Sequence, residues 1–414
     1  MYYDVLKNKN FLKIWSAQLT SQLAANLLNF ALIIRVYELA ATTRYANIAV
    51  SLLILAFGLP SIIFAVLAGA YVDHWDRKKV LVVTNIARAI LVLSFLVFQN
   101  NLLLIYVGVF IISIFSQFFT PAEGAALPRI VDKKHFLTAN SLFLFTLYGS
   151  FAVGYSLAGP IVAVWGSNAV YWVTAASFVF AALACMTLPS MRAQIESQTF
   201  KQINHQVFST IKTNFRSIIT NKSLVLPIAN LTIAQAMLGV LAVLAPAIAI
   251  LIFNQSLANV SFKIIVPAAL GMVAGAIVVG NFLKNVAKTR VIDIGITIAA
   301  IMLIGLGLVP RLSHLPLFDL IVVIIAFVLG FANGLVSVSA QTLLQLNSTD
   351  ETRGKIFGTL NMMMNVAAIA PVFLAGVTAD LVSPLVVLMG SGVLIGMYGI
   401  YQTKQFRTVN LKTS

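Results

Sequence analysis

Gly69-Ala-Tyr-Val-Asp-His-Trp-Asp-Arg-Lys-Lys-Val-Leu81 gathers five charged side chains, Asp73, Asp76, Arg77, Lys78 and Lys79, in a chain that is only 9% charged. Apolar runs flank it at about 46–72 and 80–98. At ~1.5 Å per helical residue each is long enough to cross a hydrocarbon layer ~30 Å thick. A short charged turn joining two spans suggests a latch on the cytoplasmic face of a membrane protein that changes shape.

The rest of the chain agrees. It has 414 residues, 60% of them hydrophobic, and a mean hydropathy of +0.96. A soluble domain carries about a quarter charged residues. Apolar runs recur along the whole length, leaving no room for a soluble catalytic domain. The net charge of +15 comes from basic residues scattered through short loops. That is the pattern of the positive-inside rule, so no nucleic-acid partner is expected. The one cysteine, Cys185, lies in an apolar run and forms no metal or disulfide framework. The basic N-terminus precedes a segment too long for a signal-peptide core, so no cleavable leader is expected.

The hydropathy pattern predicts an all-α integral membrane protein with about twelve spans. They fall near 14–37, 46–72, 80–98, 102–120, 137–164, 168–188, 224–253, 260–283, 291–309, 317–345, 355–381 and 384–403. An even number places both termini on one side. With the termini inside, 22 of the 27 Lys and Arg residues face the cytoplasm. These are the ones at Lys7–Lys13, Arg77–Lys79, Arg129–Lys134, Arg192–Lys222, Lys284–Arg290 and from Arg353 onward. The opposite orientation reverses the ratio. The polar segment Met191–Ser223 divides the spans six and six. This predicts an N-terminal six-helix bundle over 1–190, a cytoplasmic connector over 191–223 and a C-terminal bundle over 224–414. The halves echo each other. Ala122-Glu123 and Ala340-Gln341 precede Asp132 and Asp350 by the same interval, and Gly280 leads into Lys284, Lys288 and Arg290 much as Gly69 leads into Asp76–Lys79. Two alike six-helix halves are the architecture of a rocking transporter.

On these residues the chain resembles the major facilitator superfamily, whose loop between the second and third spans reads Gly-x-x-x-Asp-Arg-x-Gly-Arg-Arg/Lys. Gly69, Asp73, Arg77 and Lys78 match it; His74 and Asp76 replace the usual Arg and Gly. The Asp-Arg-Lys-Lys ending, Phe118-Phe119-Thr120-Pro121-Ala122 with Ala125-Ala126-Leu127-Pro128, and Ala139-Asn140-Ser141 are similar to the branch of macrolide-efflux and enterobactin-export permeases. The resemblance covers most of the N-terminal half. It implies that Gly69, Asp73, Arg77 and Lys78 form a cytoplasmic gate; the alternative is that the basic residues only set topology. Antiporters of the superfamily carry Gly-x-x-x-Gly-Pro-x-x-Gly-Gly in the fifth span. This chain keeps Gly159-Pro160, moves Gly154 one residue away and has Ala163-Val164 in place of the last glycines, which favours export over import.

Further candidates come from polar residues inside spans. Arg88 lies about nine residues into the third span, where an unpaired arginine costs at least ~2.5 kcal/mol. It either meets an anionic group in a central cavity or pairs structurally, with Glu123 for example. Glu123 could carry a coupling proton or brace the gate. Gln18, Gln22 and Asn29, with Asn26 beside them, make a polar stripe on the first span. Gln235, Asn333, Gln341, Asn361 and Asn365 are matching positions in the second half. All of these could line a substrate cavity or make interhelical hydrogen bonds. Met362–Met364 could add an adaptable apolar surface.

The expected function is secondary active export of a moderately large amphipathic compound, drug or macrolide-like, by alternating access. The alternative is an exporter or flippase of an anionic metabolite, siderophore or lipid. There is no Gly-x-x-x-x-Gly-Lys-Ser/Thr motif for ATP, so a proton gradient is the energy source that the resemblance implies, with no cofactor or metal. No histidine lies within a predicted span, so an intramembrane enzyme lacks a catalytic constellation. The expected partners are a small-molecule substrate and the lipid bilayer, with the protein a monomer in a bacterial plasma membrane.

Overall fold

The computed structural model describes residues 2–132, 135–192, 222–315, 317–346 and 350–410. Within them the regular structure is helical, as an apolar chain in lipid requires, because a helix satisfies its backbone polar groups internally. A short helix α1 (Tyr2–Leu6) precedes α2 (Lys9–Ala40), α3 (Ala46–His74), α4 (Arg77–Phe98), α5 (Leu102–Ile130) and α6 (Phe136–Met186). Then come α7 (Lys222–Phe253), α8 (Leu257–Asn281), α9 (Lys288–Leu308), α10 (Phe318–Leu346), α11 (Asp350–Leu381) and α12 (Pro384–Asn410). Side-chain caps set several starts. Asn8 Oδ1 accepts from the Asn10 and Phe11 amides at the head of α2, and Asn101 Oδ1 accepts from Leu104 N at the head of α5.

Eleven helices among the described residues are long and apolar enough to span a membrane, one fewer than the hydropathy pattern predicts. The difference lies in α6, a 51-residue helical run that would reach ~77 Å if straight. It breaks at Gly166, where φ is 77° and ψ 171°, a conformation essentially confined to glycine. The partners on either side show that the chain reverses there. Before the break, Phe143 meets Phe11, Thr146 meets Trp15 and Tyr155 meets Phe30, so the segment runs parallel to α2. After it, Asn168 meets Gln99, Tyr171 meets Phe95 and Met191 meets Arg77, antiparallel to α4, while Lys13 reaches the Thr187 carbonyl. The single helical run is therefore two antiparallel spans.

Contacts group the chain into two units. One holds residues up to Leu39, Leu52 onward in α3, and α4–α6; the other holds Ala40–Ser51 and α7–α12. The connector expected at 191–223 lies outside the described residues except at its two ends. The first unit has a core of Phe11, Ile14, Leu81, Phe119, Cys185 and Leu188. In the second, Leu231, Ile292, Ile296, Val336 and Leu344 form one cluster. There α8 and α10 meet backbone to backbone. A Cβ on Gly271 or Gly275 would strike the Phe327 or Phe331 carbonyl, and one on Gly330 or Gly334 the Ala268 or Met272 carbonyl. These are two reciprocal Gly-x-x-x-Gly faces, the small-residue contact by which helices associate in lipid.

Candidate functional site

The charged turn between α3 and α4 is organised by Asp76. Its backbone is extended (φ −71°, ψ 110°), and it is the N-cap of α4. The carboxylate accepts from Lys78 N (3.0 Å), Met191 N (3.1 Å) and Ser190 Oγ (2.6 Å). Partial burial works against its charge, but the hydrogen bonds from Ser190 and the amides outweigh burial and hold the carboxyl below the usual range. A negative charge there also suits the positive end of the helix. Asp76, one of the two departures from the family's loop pattern, thus ties α4 to the end of the sixth span.

Arg77 is buried, at 5% exposure. Its guanidinium donates to the main-chain carbonyls of Asp73 (3.1 Å) and Met191 (3.4 Å), and its amide to Met191 O (3.3 Å). The Asp73 carboxylate is exposed, so Arg77 and Asp73 are joined here through main chain. Lys78 is half-buried, and a Cβ on Gly69 would meet nothing within 4 Å. Trp75 stacks between Tyr71 and Phe118, bracing the turn against α5.

Arg88 lies at the centre of the first unit, 3% exposed. Phe119 and Phe178 cover it at 4.4 and 4.5 Å. Nη2 donates to Asn85 Oδ1 (2.8 Å) and Nε to Thr84 O (3.3 Å), and Ser21 Oγ donates to the same Asn85 oxygen (2.8 Å). A desolvated cation–π contact contributes up to ~2 kcal/mol, so two ring contacts and two hydrogen bonds offset the ~2.5 kcal/mol or more of placing the charge there. Glu123 interacts with Arg88 electrostatically and is 5% exposed. Its Oε1 is buried with no hydrogen-bond partner among the described residues. The pair therefore joins the first, third, fourth and sixth spans.

The stripe on α2 turns toward the fifth span of its own unit. Gln18 Nε2 donates to Phe143 O (3.4 Å), Asn26 Cβ packs where a Cβ on Gly154 would sit, and Asn29 reaches the Tyr155 hydroxyl. Gln22 is half-buried. Gly154 is thus a close-approach residue; Gly159 is buried and Pro160 half-buried in the same helical run. In the second unit Asn333 Nδ2 donates to Ala234 O (3.2 Å) and its Oδ1 accepts from Ser337 Oγ (3.3 Å), beside a small apolar recess lined by Met237, Ile296 and Val336. Gln235 is exposed, and Gln341 and Asn365 are half-buried. The side chain of Asn361 lies outside the described residues.

Sequence reasoning passed over Asn85, Ser21 and Asn230. The first stands three residues before Arg88, a helical neighbour spacing that marks it as a partner. Asn230, fully buried, accepts from the Tyr398 hydroxyl (3.3 Å), a long-range contact with no local signal.

Residues 14–371 match the family model of the Major Facilitator Superfamily. The chain is 26% identical over 389 residues to the MFS-type transporter YfiS of Bacillus subtilis, covering 92% of this chain and 90% of that one. It is 25% identical over 392 residues to macrolide efflux protein A of Streptococcus pyogenes, covering 93% of each. The crystal structure of the nucleoside transporter NupG shares the fold, with a TM-score of 0.72 at 14% identity over 95% of this chain and 99% of that one. A family match from the first span into the eleventh, relatives similar end to end and a common fold agree: this multi-pass membrane protein belongs to the Major Facilitator Superfamily of transporters.

Proposed function

We propose that the chain exports a moderately large amphipathic compound by alternating access, with proton antiport as the energy source. The observation that carries the export reading is the likeness to macrolide efflux protein A over 93% of each chain. A proton carrier is supported by Glu123, a buried carboxyl group with one oxygen unpartnered among the described residues. Holding a carboxylate in a buried site disfavours its charged form, and protonation removes that charge. Arg88, held in electrostatic contact, would favour release of the proton again. The anionic-substrate reading is motivated by Arg88, which is 3% exposed here with the Phe119 and Phe178 ring centroids 4.4 and 4.5 Å from its guanidinium carbon. In this reading the protein acts as a monomer in the cell membrane, with Gly69, Asp73, Arg77 and Lys78 at a cytoplasmic gate and the Gly159-Pro160 bend in the fifth span.

Reconstituted vesicles with an imposed pH gradient test this. Gradient-dependent movement of a macrolide or an amphipathic dye is expected, and Glu123→Gln should retain substrate binding while losing the dependence on the gradient. No gradient-dependent flux across a broad panel would overturn the export reading. A Glu123→Gln variant with unchanged coupling would remove Glu123 from it.

A further inference from the structure

The opening motif has a second copy. Gly69-x-x-x-Asp73 closes α3, with Asp73 one residue from its end, and Gly376-x-x-x-Asp380 closes α11, with Asp380 one residue from its end. In the second copy the carboxylate is engaged. Asp380 Oδ1 accepts from Asn47 N (3.1 Å) and Asn47 Nδ2 (2.7 Å), and Oδ2 accepts from Ile48 N (2.8 Å). Asn47 and Ile48 are the second and third residues of α3, whose amides have no partner within the helix and stand at its positive end. The glycine is needed for the approach: a Cβ on Gly376 would lie 2.7 Å from the Asn47 carbonyl and overlap Ser51 Oγ. One turn earlier, Ser51 Oγ donates to Val372 O (3.4 Å). Val372, Gly376 and Asp380, four residues apart, thus form one strip of α11 applied to the start of α3.

The grouping of the chain gives this contact its meaning. Ala40–Ser51 belongs to the second unit, while the same helix from Leu52 onward belongs to the first. We propose that Gly376–Asp380 is a carboxylate clasp on the N-terminus of α3, made and released during the transport cycle, and that Asp380 is a positioning residue for transport. It is the counterpart of the Asp73 turn at the other end of the same helix, ~39 Å away along the axis at 1.5 Å per residue. The two Gly-x-x-x-Asp motifs lie at opposite ends of α3, and of the two carboxylates Asp380 is the one engaged here. The clasp rests on alternating access, but not on the substrate or on the direction of transport.

Spin labels at Tyr45→Cys and Val382→Cys, both exposed (57% and 67%), flank the clasp; the buried native Cys185 is replaced by serine. Electron paramagnetic resonance on the protein in lipid should show a short-distance population. Asp380→Ala, which removes the acceptor of both amides, should deplete it by about tenfold or more, ~1.4 kcal/mol per tenfold. Asp380→Glu should restore part of it. Gly376→Ala, which leaves the carboxylate intact, should deplete it too. Turnover should fall in parallel while substrate affinity stays within about threefold, a split that a general loss of fold would not produce. If Asp380→Ala fails to insert, Gly376→Ala decides. An unchanged distance distribution in the measurable variants overturns the clasp, and a changed distribution with intact turnover overturns its role in transport. Absence of flux in the wild type would count against the export reading alone, because the resonance measurement still decides the clasp.

Discussion

Asp76 shows how a single carboxylate can fix a turn that is otherwise strongly basic. Its three hydrogen bonds cap α4 and hold Ser190 and Met191. Asp76→Ala should lower stability by about 1–2 kcal/mol, the usual worth of an N-cap, seen as a lower melting temperature of the detergent-solubilised protein. The pH dependence follows from the depressed carboxyl. A group titrating lower in the folded state contributes fully above its unfolded pKa of about 3.9, and that contribution is lost as the pH falls through the folded value. The gap between wild type and Asp76→Ala should therefore be constant near neutrality and close below about pH 4. The sequence drew attention to this turn through its charge density but assigned the chief role to Asp73 and Arg77. The reach to Met191, 115 residues away, carries no local signature.

At the scale of elements, α6 and the α8–α10 pair show glycine doing two different things. Gly166 has a positive φ of 77°, so Gly166→Ala should cost about 1–3 kcal/mol of backbone strain and reduce the yield of folded protein. A melting temperature equal to wild type would contradict the break described here. The α8–α10 glycines are helical and are needed for space. Gly330→Ala places a methyl against the Ala268 carbonyl and should cost about 1–3 kcal/mol through overpacking. Gly280→Ala, with nothing within 4 Å, should be neutral or gain up to ~1 kcal/mol. Thermal unfolding of the two variants side by side distinguishes packing from mere helix propensity. Hydropathy located all of these helices, because span length and apolarity are local properties. It was silent on which glycines face a partner, because that depends on helix rotation.

For the whole molecule, parity is the decisive quantity. Reading α6 as two antiparallel spans gives an even number among the described residues, as expected for termini on one side; reading it as one gives eleven, as expected for termini on opposite sides. A green fluorescent protein fused after Ser414 should therefore fluoresce, since it matures in the cytoplasm, and a periplasmic alkaline phosphatase fused there should be inactive. The reverse pattern would overturn either the even span count or the charge-based orientation. The candidate cavity residues divide between the units, with Gln18, Gln22, Asn26 and Asn29 in one and Gln235, Asn333, Gln341, Asn361 and Asn365 in the other. Of these, Gln18 and Asn333 donate their side-chain N–H groups to carbonyls of neighbouring helices.

The sequence alone determined the environment, the helical class, the approximate spans and the family. Lipid imposes length and apolarity on each helix separately, and the charged turn at Asp73–Lys79 is a contiguous word that can be read without a fold. Only the tertiary structure decided what the buried polar groups do. It set Arg88 against Phe119 and Phe178, left one oxygen of Glu123 unpartnered among the described residues, and brought Asp380 onto the amides of Asn47 and Ile48, 333 and 332 residues away. The physical reason is that a polar group inside a membrane must find its partner within the protein, on its own helix as Arg88 does at Thr84 and Asn85, or on another. The direction in which each helix presents its side chains is set by packing.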